Sequence, residues 1–256
     1  MNRILEFPED IRPDFHGFPL KGFDFLSALK ENNNRQWFKE RKECYEAELK
    51  FPMECLLAEF TQARKPKNFP VQGDPKRGMF RIYRDIRFSK DKLPYKTHAG
   101  AIMSRSGAKG EPGLIYIHIQ PKNSFLSAGF YSPDKNFLTA WRHKLVSAPD
   151  VFLELIKPFS KPTAKYFLRQ RGSLKTMPRG FAEHAESPVA EFVKWKHFLI
   201  GQKITDKQAQ DRKLIKEIKE FVKVSEQFLQ FGWNIYETAY KSDPRQHMRN
   251  VKTSVI

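Results

Sequence analysis

The segment from residue 80 to residue 98, FRIYRDIRFSKDKLPYKTH, concentrates side chains that could bind an anion. Arginines recur in its first half, and its second half adds three lysines, three hydroxyl groups and a histidine. These groups are the donors that hold phosphate or carboxylate oxygens in proteins. The sequence therefore predicts an anion site, and its candidate ligand-binding residues are Arg81, Tyr83, Arg87, Ser89, Lys90, Lys92, Tyr95 and Lys96.

Binding of a phosphate-bearing ligand, such as a nucleotide or a nucleic acid, is the first function that fits this site. Arginines and lysines would contact the phosphates, and Tyr83, Tyr95 and Tyr116 could stack on bases. Such binding would weaken steeply with salt, because it releases counterions. No RNP1 motif, zinc-finger spacing or helix-turn-helix signature accompanies the site, so the identity of the ligand stays open.

Acid/base catalysis on a small anionic substrate is the first alternative. Its catalytic candidates are Asp85, Asp91, His98 and His118. One carboxylate and one histidine would transfer protons, while arginines and lysines would stabilise developing negative charge. The HExxH, GxSxG, P-loop and GxGxxG patterns are absent, and neither a metal site nor an organic cofactor is predicted. The sequence leaves open whether the protein is an enzyme.

A structural or protein-interaction role is the second alternative. The charged side chains of the segment would then form ion pairs, which contribute only about 0.2 to 1 kcal/mol each at a protein surface. Function would lie instead in the apolar face of a helix near the C-terminus, which could bind a partner protein.

Apolar and polar residues alternate at the start of the segment. Even-numbered positions carry the apolar side chains, which predicts a strand over residues 80–88 with one face toward the core. Arg84 interrupts that apolar face. An unpaired guanidinium is costly to bury, so we expect Arg84 to meet a carboxylate or several carbonyl groups. Pro94 disfavours helix before it, which predicts a loop after the strand.

Residues 114–131 predict a β-hairpin. Isoleucines alternate with Tyr116, His118 and Gln120 in its first strand, and the sequence PKN supplies the turn. If this hairpin joins the strand over residues 80–88 in one antiparallel sheet, its polar face would adjoin the polar face of that strand.

Helical spacing of apolar residues predicts helices over most of the remaining chain. They cover residues 23–29, 37–60 with a kink or restart at Pro52, 137–146, 151–159, 163–169, 189–199 and 206–231, the last ending before Gly232. The predicted fold class is α+β, a single domain with a central antiparallel sheet packed mainly on one face by helices.

The chain has 256 residues, of which 40% are hydrophobic and 23 are Phe, enough for one sizeable core. We expect one compact α+β domain over residues 1–240 and a basic tail over residues 241–256 whose composition is compatible with disorder. The net charge of +17 favours polyanionic partners. Residues 64–109 carry 13 basic and 3 acidic side chains, so more than half of the net charge surrounds the predicted anion site.

Cys44 and Cys55 are the only two cysteines, and they lack the spacing of a zinc site, so reduced thiols are expected.

A basic leader and a span of about 20 apolar residues are both absent, which predicts a cytoplasmic protein without a membrane partner. The expected partner is an anionic small molecule or a nucleic acid. The sequence does not determine the oligomeric state.

Four blocks of the chain resemble the domain of unknown function 2461 family, which is widespread in bacteria. They are NNNRQWFKERKECY, FRIYRDIRFSKDKLPYKTH, GLIYIHIQPKNSFLSAGFYSP and MPRGFAEHAESPVAEFVKWKHF, and they reach to about Phe198. The resemblance implies an α+β protein whose signature block contains the polar residues of segment 80–98. Arg179, in the sequence PRGF, belongs to a second block. The resemblance implies no activity, because none is established for the family.

The hairpin departs from the pattern of that family. Gln120, Asn123, Ser127 and Ala128 stand where the resemblance implies a carboxylate and glycines. If the carboxylate is catalytic in the family, this chain lacks it.

Overall fold

The computed structural model describes residues 13–62, 71–87, 89–161 and 164–240. Its helices are α1 (Leu20–Glu31), α2 (Arg35–Glu40), α3 (Lys42–Tyr45), α4 (Phe51–Gln62), α5 (Lys135–Ser147), α6 (Pro149–Ile156), α7 (Ala190–Val193), α8 (Asp206–Ala209) and α9 (Leu214–Tyr240). There is also a π-helical turn at Glu46–Lys50, and there are 3₁₀ turns at Lys157–Phe159 and Ala182–His184. Phe88 and the predicted tail over residues 241–256 lie outside the described residues.

The strands form an antiparallel sheet. They are β1 (Gln72–Gly73), β2 (Ala99–Ser104), β3 (Leu114–Ile119), β4 (Ser124–Phe130), β5 (Phe167–Leu168) and β6 (Phe198–Ile204). Their order across the sheet is β1-β2-β3-β4-β6-β5. The predicted hairpin is confirmed as β3 and β4, and the predicted α+β class with a central antiparallel sheet is confirmed.

The contacts of the described residues divide the chain into two compact units. The first comprises Met1–Ala108, Ile117–Phe125 and Ile204–Lys219, and the second comprises Lys109–Tyr116, Leu126–Lys203 and Glu220–Ile256, each as far as it is described. The single compact domain over residues 1–240 stays a prediction.

The helical stretch of the first unit changes its geometry before Pro52. The chain passes through the π-helical turn, and α4 then begins at Phe51 with Pro52 in its first turn. Because proline has no N–H, it fits the first turn of a helix and interrupts the hydrogen bonds of a longer one. The predicted restart at Pro52 is therefore confirmed. The core side of this stretch is buried, with Leu49 and Met53 inaccessible to solvent.

In the second unit, α9 continues through Gly232 to Tyr240, so the prediction that Gly232 ends the helix is wrong. A Cβ atom at Gly232 would lie 2.1 Å from the ring of Phe130 and 2.6 Å from the ring of Trp141. Close packing of α9 on these aromatic rings therefore requires the glycine, and no left-handed turn is involved.

Two predicted helices of the second unit contain strands instead. The helix predicted over residues 163–169 contains β5, and the helix predicted over residues 189–199 shortens to α7 before β6 begins. β5 pairs with β6 through Phe167, which lies opposite Gly201. Apolar runs of this length fit a strand as well as a helix, and pairing along β6 decides between them.

The two cysteines lie in the helices of the first unit. Cys44 is half-buried, Cys55 is buried, and the two are not joined by a disulfide. Within the ranges that the structure describes, no helix has both the length and the hydropathy needed to cross a bilayer.

Candidate anion-binding site

Residues 80–98 fold back on themselves, and we call them the basic hairpin. Tyr83 and Tyr95 form an isolated β-bridge between its two arms. Beside this bridge the Arg84 N–H donates to the Pro94 carbonyl at 2.9 Å. The pairing does not extend into a regular ladder, in part because proline has no N–H to donate, so the prediction of a regular strand in the first arm is wrong.

The two-sided pattern predicted for the first arm is nevertheless confirmed. Its odd-numbered residues from 81 to 87 are exposed, whereas Ile82 is buried and both Arg84 and Ile86 are half-buried. An extended backbone alternates its side chains whether or not a ladder forms. The chemistry of the exposed side is therefore set by Arg81, Tyr83, Asp85 and Arg87.

Arg84 has the carboxylate partner that its position on the inner side predicts. Its Nη1 lies 2.7 Å from Oδ2 of Asp91, and its Nη2 donates to the Ser89 hydroxyl at 3.4 Å. The Leu93 N–H and then Arg84 lower the pKa of Asp91. Ser89 and Asp91 therefore help to hold the tip of the basic hairpin closed over a guanidinium that is 27% exposed.

Asp85 forms a two-point ion pair with Arg87 on the exposed side. The Nη2 to Oδ2 distance is 2.6 Å and the Nε to Oδ1 distance is 3.0 Å. Hydrogen bonds from the side chain and backbone of Arg87 lower the pKa of Asp85 to about 2. A carboxylate of such low pKa is a weak base at neutral pH, which disfavours a proton-transfer role for Asp85.

Two lysines of the basic hairpin are anchored by backbone oxygens. Lys92 Nζ donates to the Ile86 carbonyl at 2.9 Å, and Lys96 Nζ donates to the Arg81 carbonyl at 3.2 Å. A hydrogen bond to a neutral carbonyl does not remove the positive charge of an ammonium group. The anchors therefore fix the positions of two cations while keeping their charge.

The tyrosines of the basic hairpin divide between core and surface. Tyr95 is only 5% exposed and stacks on Phe38 with 4.1 Å between ring centroids. Tyr83 is 48% exposed, and its ring packs beside Phe38 at 6.0 Å and beside Tyr95 at 5.3 Å. Of these two tyrosines, Tyr83 is therefore the one that could contact a ligand, whereas the buried Tyr95 packs against it.

Asn33 is a positioning residue that the sequence analysis missed. Its Nδ2 donates to the Tyr95 carbonyl at 2.9 Å, and its Oδ1 accepts from the Tyr95 N–H at 3.0 Å. This side chain thus pairs with the backbone as a neighbouring strand would. Next to it, Asn34 caps α2 by accepting from the Trp37 N–H at 2.9 Å. Three consecutive asparagines before a helix are a signal for helix capping. They do not predict the contact of Asn33 with Tyr95, which lies 62 residues away in the sequence.

Two histidines come together where the second arm of the basic hairpin ends. The rings of His98 and His118 lie 4.2 Å apart. His118 also stacks on Phe125 at 4.4 Å, and its Nε2 lies 2.9 Å from the Gln120 amide oxygen. Burial lowers the pKa of His98 to about 3, helped by His118 and Lys96. His98 is therefore uncharged at neutral pH.

The predicted catalytic residues do not assemble into one site. Among the described residues, neither Asp85 nor Asp91 forms a hydrogen bond or ion pair with a histidine, since both carboxylates pair with arginines. His118 contacts Gln120, one of the four residues that stand where the family resemblance implies a carboxylate and glycines. The described ranges also contain no group of three or more His, Cys, Asp or Glu side chains that could hold a metal ion.

Comparison with known proteins identifies a family. The family model described as conserved hypothetical protein (DUF2461) matches residues 21–231. No curated protein and no solved structure matches the chain. The match includes both arms of the basic hairpin, the asparagines before α2, and the β3–β4 hairpin. Since it covers well over half of the sequence, the chain belongs to the domain of unknown function 2461 family.

Proposed function

We propose that the basic hairpin binds a phosphate-bearing ligand, either a nucleotide or a nucleic acid. The observation that carries the proposal is the charge of this short segment. Residues 81–98 contain six arginines and lysines but only two carboxylates, Asp85 and Asp91. Both carboxylates pair with arginines of the segment. The segment therefore keeps an excess of four positive charges.

The geometry of the hairpin supports this proposal. Arg81, Lys90 and Lys92 have exposed side chains. Lys92 and Lys96 are oriented by their carbonyl anchors, so part of the entropy cost of ordering a lysine on a phosphate is already met by the fold. Oriented donors and a net positive charge are what phosphate binding requires.

Tyr83 is the side chain that could bind the base of a nucleotide ligand. Its ring is exposed and is supported by Phe38 and Tyr95, and it lies on the same side of the first arm as Arg81 and Arg87. Aromatic rings beside a cationic track are how many proteins hold single-stranded nucleic acid and nucleotides. We expect the base to stack on Tyr83 and the phosphates to meet the nearby cations.

Fluorescence anisotropy with a labelled single-stranded oligonucleotide, together with thermal shifts with mononucleotides, tests the proposal. Arg81→Ala and Lys92→Ala should weaken binding and make its salt dependence less steep, each by roughly one phosphate contact. Tyr83→Ala should weaken binding by about 1–3 kcal/mol per stacked base. Lys30→Ala, which removes one exposed positive charge from α1, is the matched control.

The outcomes separate specific binding from general attraction to polyanions. If all of these lysine and arginine variants weaken binding equally, the whole charge of the protein attracts the oligonucleotide and the proposed site is wrong. If Arg81→Ala and Lys92→Ala lose binding at moderate salt while Lys30→Ala keeps it, the basic hairpin is the site.

The two alternative functions have less support. Acid/base catalysis has less support because, among the described residues, Asp85 and Asp91 pair with arginines rather than with a histidine. The low pKa of His98 also makes it a weak base. A purely structural role fits Arg84 and Asp91, whose ion pair closes the tip of the hairpin. It does not account for the six arginines and lysines that residues 81–98 carry against only two carboxylates.

A further inference from the structure

A second group of cationic and aromatic side chains lies in the second unit and shares no residue with the basic hairpin. It consists of Tyr131, Arg171, Lys196 and His197, which we call the His197 cluster. We propose that this cluster binds a phosphate-type oxyanion, supplied either as inorganic phosphate or as the phosphate of a monoester. The proposal does not depend on the proposed function of the basic hairpin.

Backbone pairing brings these distant residues together. The segment after β5 continues antiparallel to the residues that precede β6. Ser173 bridges to Trp195, and the Lys196 N–H donates to the Gly172 carbonyl at 3.2 Å. The same register places Arg171 opposite His197. Two residues separated by 26 positions in the sequence thus become cross-strand neighbours.

The orientation of His197 is fixed from the end of β4. The Ser132 N–H donates to Nδ1 of His197 at 2.8 Å, and the Tyr131 ring stacks on the imidazole with 4.7 Å between centroids. Because Nδ1 accepts a hydrogen bond, the proton of the neutral ring lies on Nε2. Within the described residues, this Nε2–H has no hydrogen-bond partner. It is an oriented donor on a half-buried ring.

The backbone beside this donor adopts an uncommon conformation. Ser132 has a φ of 48°, in the left-handed region that serine rarely occupies. Such a conformation costs free energy and persists only where the surroundings enforce it. Here it directs the Ser132 N–H at His197, and the ring is held as a consequence.

The cations of the cluster lack a carboxylate. The Arg171 guanidinium carbon lies 5.9 Å from the centroid of the Tyr131 ring. Across the described residues, neither Arg171 nor Lys196 forms an ion pair with Asp or Glu. Burial lowers the pKa of His197, and the positive charges of Arg171 and then Lys196 lower it further. Like charges gathered around a neutral donor are mutually repulsive, and a bound anion would remove that repulsion.

The donor set favours phosphate over a carboxylate ligand. Guanidinium, ammonium and imidazole N–H groups come from three side chains, so they can meet more oxygens than the two that a carboxylate offers. Tyr131 is 58% exposed and gives the organic part of a monoester an apolar surface beside the phosphate. We therefore expect a monoester to bind at least as tightly as inorganic phosphate.

Histidine-selective ¹H–¹⁵N NMR of the full chain tests this proposal directly. The protein is titrated with inorganic phosphate and, separately, with glycerol phosphate, while sodium chloride keeps the ionic strength constant. The Nε2 resonance of His197 should move in a saturable way. Arg171→Ala and Lys196→Ala should each weaken phosphate binding by about tenfold or more, as expected when a charge-assisted hydrogen bond is lost. Lys203→Ala, an exposed lysine on β6, is the matched control and should bind normally.

The outcomes are distinct. A resonance that does not move, or that moves equally with chloride alone, overturns the proposal, as does unchanged binding in both the Arg171 and Lys196 variants. Tighter binding of glycerol phosphate identifies a monoester as the ligand, whereas equal binding identifies inorganic phosphate. Arg81→Ala should leave the His197 response intact, so a failure of the basic hairpin site and a failure of this site are separable.

Discussion

Replacement of Asn33 by alanine should destabilise the protein through the loss of one paired contact. The side chain makes two hydrogen bonds with the Tyr95 backbone, at 2.9 and 3.0 Å, and both are partly buried. Each such bond contributes about 0.5–1.5 kcal/mol, and an unsatisfied buried backbone group costs at least as much. Asn33→Ala should therefore lower the free energy of unfolding by about 2 kcal/mol. For a protein of this size this corresponds to a fall in Tm of about 4–8 °C.

Urea denaturation followed by tryptophan fluorescence measures this loss. Asn32→Ala is the matched control, because Asn32 also uses its amide, in an exposed hydrogen bond to the Ala28 carbonyl at 3.0 Å. Asn33→Asp keeps the acceptor and removes the donor, so its stability should lie between those of the wild type and Asn33→Ala. Equal effects of Asn32→Ala and Asn33→Ala would refute the claim that the contact with Tyr95 holds the basic hairpin.

Asn33→Ala should affect oligonucleotide binding as well as stability. Asn33 holds the second arm, which carries Lys92 and Lys96, so its loss should weaken oligonucleotide binding although Asn33 itself has no charge. Anisotropy measured at a temperature where Asn33→Ala is still folded checks this expectation. If affinity is unchanged there, the basic hairpin does not need this anchor to present its cations.

Three further predictions concern packing, charge and pH. Gly232→Ala should lower the free energy of unfolding by about 1–3 kcal/mol in denaturant titrations. The clash of the new Cβ with the Phe130 ring outweighs the gain of about 1 kcal/mol in helix propensity. A stabilised variant would contradict the packing argument. Asp91→Asn should lower the denaturation midpoint more than Asp85→Asn, because it leaves the half-buried Arg84 without its carboxylate. The reverse order would show that the Arg84–Asp91 ion pair is dispensable. The folded-state pKa of His98 is lowered from 6.5 to about 3, so its contribution to stability is complete above pH 6.5 and is lost as the pH falls toward 3. His98→Gln should flatten the stability profile measured by denaturation between these pH values, and an unchanged slope would contradict the burial of a neutral imidazole.

Local rules in the sequence determined several features of this protein. The alternation in the first arm, the carboxylate partner of Arg84 and the β3–β4 hairpin follow from short-range periodicity and from the cost of burying charge. The restart of the helix at Pro52 follows from the missing N–H of proline. Each of these features depends on residues that are close together in the sequence, so the pattern alone contains the information.

Other features were decided by contacts between distant parts of the chain. By its position in the sequence Gly232 is a candidate helix end, but in the structure it allows α9 to pack on the ring of Phe130. Asn33 lies in a capping pattern, but in the structure its side chain binds the backbone of Tyr95. The His197 cluster exists only because the segment after β5 pairs with the residues before β6 and the end of β4 reaches His197. Packing and pairing between distant segments set these contacts. No local propensity encodes them, because a side chain has the same intrinsic preferences whichever distant partner the fold supplies.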